Sequence, residues 1–146
     1  TQSRSSAASD VYKRQAEDSG ITLGVKGAIG SIAADREMLT RALNNLLSNA
    51  IRHTPRGKSI TVLLSQDEQW TTISVVNPGE KIPEPDLPKL FNRFYRVDPA
   101  RQRNTAGAGL GLAIVKSIAE AHGGSVAVTS SELVTRFDLA LPHLRQ

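Results

Sequence analysis

Cysteine is absent from the 146 residues, which excludes disulfides, thiolate metal sites and cysteine nucleophiles. Aromatic residues are scarce at 4% of the chain. They do not interleave with basic side chains as the stacking platforms of single-stranded nucleic-acid binders do. No apolar run is long enough to cross a bilayer, and no signal-peptide pattern occurs. What remains is an ordinary globular composition, 39% hydrophobic and 22% charged. The length suits one domain whose core needs no covalent staples. The net charge is +4, with a local excess at Lys89, Arg93, Arg96, Arg101 and Arg103. Such clustering suits a polyphosphate as well as a nucleic-acid backbone, and a solvated basic face explains it equally.

Directly after that cluster comes Gly107-Ala108-Gly109-Leu110-Gly111-Leu112-Ala113-Ile114-Val115. Glycines at alternate positions let backbone amides approach a ligand closely. The apolar run behind them reads as a helix as far as His122, whose unpaired N–H groups and positive dipole end suit an oligophosphate. A glycine loop before a helix is as often a flexible turn, so the rest of the chain decides its meaning.

Residues 1–15 lack periodicity and are rich in Ser and Ala, the pattern of a disordered lead or cloning remnant, leaving 16–146 as the folded domain. Alternation from Ile21 to Val25 predicts a strand, and a second short strand is expected around Ser31–Ala33. Asp35 is a good N-cap for a helix running to about His53. Leu39, Leu43, Leu46, Leu47, Ala50 and Ile51 form its apolar stripe. Asn45, Asn49 and Arg52 recur at spacings of four and three and so share another face. Asparagine disfavours helix interiors by about 0.5 kcal/mol against alanine. Two on one face therefore suggest a task, although solvated asparagines on a surface helix are the plain alternative.

Thr54-Pro55-Arg56-Gly57 stops the helix. Gly57-Lys58-Ser59 imitates a P-loop, but Arg52 stands where that motif requires glycine, which excludes it. Ser59–Ser65 and Thr71–Val76 alternate as a hairpin across Gln66-Asp67-Glu68-Gln69. Trp70, at the hairpin's edge, reads as packing. Asn77-Pro78-Gly79 ends the second strand, and a proline-rich connection leads to a short helix expected around Leu87–Phe94. From Arg96 to Ala106 the chain is polar and unpatterned, the signature of a functional loop or lid. His122-Gly123-Gly124 reads as a helix C-cap. Ser125–Thr129 and Arg136–Leu141 form a last hairpin. Together these elements predict an α+β fold, a two-layer α/β sandwich.

Four pieces stand in order: Asn45/Asn49/Arg52, Asn77-Pro78-Gly79, Leu90-Phe91-Asn92-Arg93-Phe94-Tyr95-Arg96 and the glycine loop. This order and spacing resembles the N, G1, F and G2 boxes of the catalytic ATP-binding (HATPase) domain of bacterial sensor histidine kinases. That family shares the Bergerat or GHKL fold with gyrase, the Hsp90 chaperones and the MutL repair proteins. The resemblance covers about residues 21–142, and Val134-Thr135-Arg136-Phe137 fits the family's last box. Asn77-Pro78-Gly79 and the stretch from Arg96 to Arg103 are most similar to the heavy-metal-responsive (copper/silver type) branch.

The resemblance implies ATP and Mg²⁺ as cofactors, with phosphoryl transfer to a histidine as the reaction. It makes Asn49 the Mg²⁺ ligand, an oxygen donor that adds no negative charge beside a triphosphate. Asn45 supports it one turn earlier, and Arg52 contacts phosphate. His53 either stacks on the base or is a plain helix-end histidine. In hydrolysing relatives a water-activating glutamate occupies the position of Asn45. An amide is no general base at neutral pH, which fits transfer rather than hydrolysis. Asn77 replaces the commoner aspartate that meets the adenine amino group, and Lys81 replaces a glycine of the same box. Thr135 is implied near the adenine, although Val134 stands where glycine is usual. Gly79, Gly107, Gly109, Leu110, Gly111 and Leu112 are implied nucleotide contacts. Arg93 and Arg96 are plausible phosphate contacts, whereas Phe91 and Phe94 read as packing for the lid base.

None of His53, His122 and His143 stands in a phosphoacceptor context. The chain is therefore expected to be a catalytic fragment, monomeric alone and unable to phosphorylate itself. Its expected partners are the histidine-bearing dimerisation domain of a parent kinase and a downstream response regulator, with no role for nucleic acid. The parent is expected to be an inner-membrane sensor whose catalytic part lies in the cytoplasm. Two other readings remain: a nucleotide-binding module without transfer activity, and a serine kinase of the anti-sigma-factor type.

Overall fold

The computed structural model describes residues 14–30, 32, 34–79, 81–93 and 111–142. A helical segment at 14–18 begins inside the stretch expected to be a lead, and Ala16 in it is fully buried in the core. The chain continues through β1 (Thr22–Gly27), α1 (Arg36–His53), β2 (Ser59–Gln66) and β3 (Trp70–Pro78). A 3-10 helix (Glu84–Lys89), α2 (Gly111–Ala121), β4 (Ser125–Ser130) and β5 (Val134–Pro142) complete the described residues. Two expectations need correction. Ile32 carries no strand, and its neighbours Ser31 and Ala33 lie outside the described residues. The helix expected around Leu87–Phe94 is instead a 3-10 helix starting at Glu84. Pro85 and Pro88 lack amide hydrogens, so a regular α-helical ladder cannot form there, and the chain goes on in turns from Leu90.

The five strands form one mixed sheet in the order β1-β2-β3-β5-β4. β1 and β2 run parallel, joined by the crossover through α1, and every other pair is antiparallel. α1 and α2 cover one face of the sheet. Alternation along β3 and β5 puts Thr71, Ile73, Val75 and Asn77, and Thr135, Phe137, Leu139 and Leu141, on that covered face. Leu46 and Leu39 of α1 and Val115 and Ile118 of α2 fill the space against them. Thus the apolar stripe read from the sequence of α1 does face the core, with Leu43 at its partly buried margin. Across the opposite face Ser74, Asp138 and Arg136 form a polar cluster, with Arg136 Nε 2.8 Å from Asp138 Oδ1.

α1 starts as the sequence indicates: Asp35 caps it by accepting the Met38 N–H at 2.9 Å. At its other end the Thr54 hydroxyl donates to the Ala50 carbonyl at 2.6 Å, closing one of the last free acceptors. α2 ends in a Schellman turn: Gly124 N–H meets the Ala119 carbonyl at 2.8 Å and Gly123 N–H the Glu120 carbonyl at 3.0 Å. Gly123 has φ +75°, and a Cβ on Gly124 would lie 2.1 Å from the Ala140 carbonyl, so neither position accommodates a side chain.

Candidate functional site

Three chain segments converge where the last turns of α1 meet the sheet. The first is α1 itself, where spacings of four and three set Asn45, Asn49 and Arg52 along one side. Asn49 is only 9% exposed, Asn45 is half-buried, and Arg52 and His53 are exposed. The second segment is the end of β3. A Cβ on Gly79 would come within 3.1 Å of the His53 carbonyl and 3.7 Å of Asn77 Nδ2. Glycine therefore lets the chain leaving β3 pass close over the end of α1. The third is the start of α2, where the Cβ position of Gly111 lies 3.5 Å from Asn45 Oδ1. The end of the glycine loop and the asparagine face of α1 are thus neighbours.

The sheet supplies the floor. Asn77 pairs with Thr135, and Thr135 with Ser130, so three polar side chains stand in one cross-strand row. Asn77 and Thr135 are 3% and 5% exposed. Buried polar groups need partners, and these have them. Asn77 Nδ2 donates to the Pro78 carbonyl at 3.0 Å. The Ser130 and Thr135 hydroxyls share a hydrogen bond of 3.1 Å, and Ser130 Oγ also accepts the Ile82 N–H at 2.9 Å. Ser130 thereby ties the loop after β3 to the residue pair on the sheet. Nothing in the sequence marked it except strand alternation, which sets it on the same face as Val126 and Val128.

Below this row Phe91 meets Phe137 edge to face, with centroids 6.0 Å apart and planes at 89°. That contact fits the packing role expected of Phe91. Leu112 is half-buried and packs against the core. Trp70 is exposed at the start of β3, opposite Pro142 in the strand register. His53 is exposed, yet the protein around the helix end removes part of its ring's water. That desolvation first, and then the charge of Arg52, lowers its pKa from the ordinary 6.5. Arg96, Gly107, Gly109 and Leu110 lie outside the described residues, as do Phe94, Arg101, Arg103 and His143.

Two of the grooves on the surface of the described residues leave out Asn45 and Asn49. One of about 390 Å³ runs along another side of α1, lined by Arg36, Glu37, Thr40, Arg41 and Asn44. The Asn44 Oδ1 atom there is buried with no hydrogen-bond partner. The other, about 290 Å³, lies between the loop after β3 and β4, with Ile82, Leu87, Val128 and Ser130 among its lining. No group of three or more His, Asp or Glu side chains among the described residues could hold a metal ion. An ion at the asparagine face would draw on amide oxygen such as that of Asn49 and on its ligand's own oxygens.

A two-layer sandwich with polar residues gathered between two helices and a sheet end has close counterparts. Residues 34–145 match the family described as histidine kinase-, DNA gyrase B-, and HSP90-like ATPase, and the chain belongs to that family. It is 51% identical over 133 residues to the sensor histidine kinase CusS of Escherichia coli K12, covering 91% of this chain. The match spans only 28% of the length of CusS. Among solved structures it resembles the mycobacterial sensor histidine kinase MprB, with TM-score 0.85 and 28% identity over 99% of this chain and 97% of that one. It also resembles full-length ShkA in complex with AMPPNP, with TM-score 0.80 and 26% identity over 96% of this chain and 29% of the other. The fold is thus that of the ATP-binding catalytic domain of sensor histidine kinases.

Proposed function

We propose that this domain binds Mg²⁺–ATP between α1 and the start of α2 and transfers the γ-phosphoryl group to a histidine on a separate dimerisation domain. The observation that carries the reading is the position of Gly111, whose Cβ site is 3.5 Å from Asn45 Oδ1. It places the end of a glycine loop and a helix N-terminus against the asparagine face, a pairing suited to an oligophosphate. The ShkA complex with AMPPNP, a neighbour of the same fold, supports a nucleotide as the occupant.

The residues present fit the group. Asn49 offers a largely buried neutral oxygen to Mg²⁺, and the ion supplies charge neutralisation along the phosphates. Asn45 would support it from one turn earlier, and Arg52 would add positive charge toward the phosphates. Asn77 would accept from the adenine amino group, a donor, through its amide oxygen, while its Nδ2 donates one hydrogen to the Pro78 carbonyl. Thr135, Gly79 and His53 border the base end. An amide at position 45 cannot take a proton from water, which favours transfer to an imidazole over hydrolysis. The parent protein, in this reading, is a membrane sensor kinase of the heavy-metal-responsive branch, and its partners are its own dimerisation domain and a response regulator.

Calorimetric titration with a non-hydrolysable ATP analogue, with and without Mg²⁺, tests the binding step. Binding that depends on Mg²⁺ is expected, and no binding under either condition overturns the proposal. Incubation with labelled ATP and a matching helical-hairpin protein tests the transfer step. An acid-labile, alkali-stable phosphoprotein is the expected product. Binding without any transfer would instead support a nucleotide-binding module, for which the exposed Lys81 in place of a box glycine is the specific pointer.

A further inference from the structure

His122 has no part in the nucleotide cleft, yet both of its ring nitrogens are engaged. Nδ1 lies 2.9 Å from the Ile118 carbonyl, and Nε2 accepts the backbone N–H of Asp35 at 3.0 Å. A carbonyl has no proton to give, so Nδ1 carries the hydrogen. A backbone N–H can only donate, so Nε2 keeps its lone pair. One neutral tautomer satisfies both contacts.

Asp35 is the N-cap of α1, and its carboxylate accepts the Met38 N–H at 2.9 Å. One imidazole therefore joins the end of α2 to the beginning of α1. The two helices lie antiparallel, with His122 against Asp35 at one end and Gly111 against Asn45 at the other. The ten-residue step from Asp35 to Asn45 separates these two contacts by about 15 Å along α1. Any slide of α2 along α1 would move both contacts together.

We propose that neutral His122 is a positioning residue for the nucleotide site: it fixes the axial register of α2 on α1, and its protonation releases that register. The inference rests on reading the cleft as the ATP site. On protonation Nε2 gains a hydrogen and faces the Asp35 N–H donor to donor, so the link is lost. The charged side chains on the flanking turns are Asp35, Arg36 and Glu37 of α1 and Lys116 and Glu120 of α2, all exposed. From the sheet, the Ala140 carbonyl and the Pro142 ring are what lie against Gly124 and Gly123. Of these, Asp35 Oδ1 is already taken by the Met38 N–H, and none is seen accepting the Asp35 N–H, whose acceptor is His122 Nε2.

The test uses the 146-residue chain, wild type, His122→Gln and His122→Ala. Affinity for a non-hydrolysable ATP analogue with Mg²⁺ is measured at about pH 8 and about pH 5.5. The Gln amide can donate and accept but does not titrate, so it carries the pH dependence of the ligand and of every other group. Wild type is expected to lose about 3- to 10-fold more affinity than His122→Gln on acidification, the worth of one net hydrogen bond. His122→Ala is expected to be weaker than wild type at the higher pH. Equal pH dependence in wild type and His122→Gln overturns the proposal. Ring ¹⁵N shifts of wild-type His122 without nucleotide test the link separately from binding. A protonated Nδ1 and bare Nε2 are expected at about pH 8, and the opposite tautomer overturns the inference even if nucleotide binds.

Discussion

The two sides of the cleft are built in different ways. The side proposed for the base is a row across the sheet, where Asn77, Thr135 and Ser130 are locked by strand register and by hydrogen bonds of 2.9 to 3.1 Å. The side proposed for the phosphates is the meeting of two helices, where Asn45 and Gly111 approach because α1 and α2 pack together. A sheet register cannot slip without turning every side chain to the other face. A helix pair slides at lower cost, which makes its fixing points matter. In the proposed reading the base would lie against a rigid floor and the phosphates against a surface that depends on helix placement.

Four experiments would break or sharpen this contrast. The largest effect is expected from Asn49→Ala, which removes the oxygen donor to the metal while leaving the sheet row intact. Mg²⁺–nucleotide affinity should fall at least about 100-fold, roughly 2.7 kcal/mol, with unfolding temperature little changed. An undiminished affinity by calorimetry would remove Asn49 from the site. Next comes Leu46→Ala in the fully buried middle of α1, expected to cost about 2–5 kcal/mol by denaturant unfolding. If the contrast holds, nucleotide affinity in the still-folded variant should fall more than in Val75→Ala, a buried sheet position, because the helix wall shifts and the sheet does not.

Smaller again is Ser130→Ala. It leaves the Ile82 N–H and the Thr135 hydroxyl without their partner and should cost about 1–2 kcal/mol of stability. A selective loss of adenine over guanine discrimination, read by competition titration, is the matching change in binding. The smallest effect concerns pH. His53 has a folded-state pKa below the ordinary 6.5, so the unfolded chain takes up the proton first as pH falls. Its contribution is fully present above 6.5 and is lost as pH falls through the lowered value. His53→Gln should therefore show a shallower drop in melting temperature between neutral and mildly acid pH than wild type. An unchanged slope would mean that the ring is solvated as in a free peptide.

Much of this was legible without coordinates where the signal is periodic or punctuated. The stripe Leu39–Ile51, the Asp35 cap and the Gly123 turn all follow from residue types at fixed offsets, and the helices begin and end there. The hairpins follow from alternation, with ends differing by one or two residues. The short helix expected around Leu87–Phe94 is a 3-10 helix at Glu84–Lys89, because Pro85 and Pro88 remove ladder donors. The strand expected at Ser31–Ala33 rested on too few residues for alternation to mean anything.

The sequence by itself determined the elements, the motif residues and the family to which they point. Each depends on neighbours within a turn or a strand, where chain geometry leaves few choices. Only the tertiary structure decided that Asn77 and Thr135 are paired across β3 and β5, that Ser130 ties the following loop to them, and that His122 reaches Asp35 across 87 positions of sequence. Contacts of that kind arise from how helices and strands are stacked, which local residue preferences do not encode one position at a time.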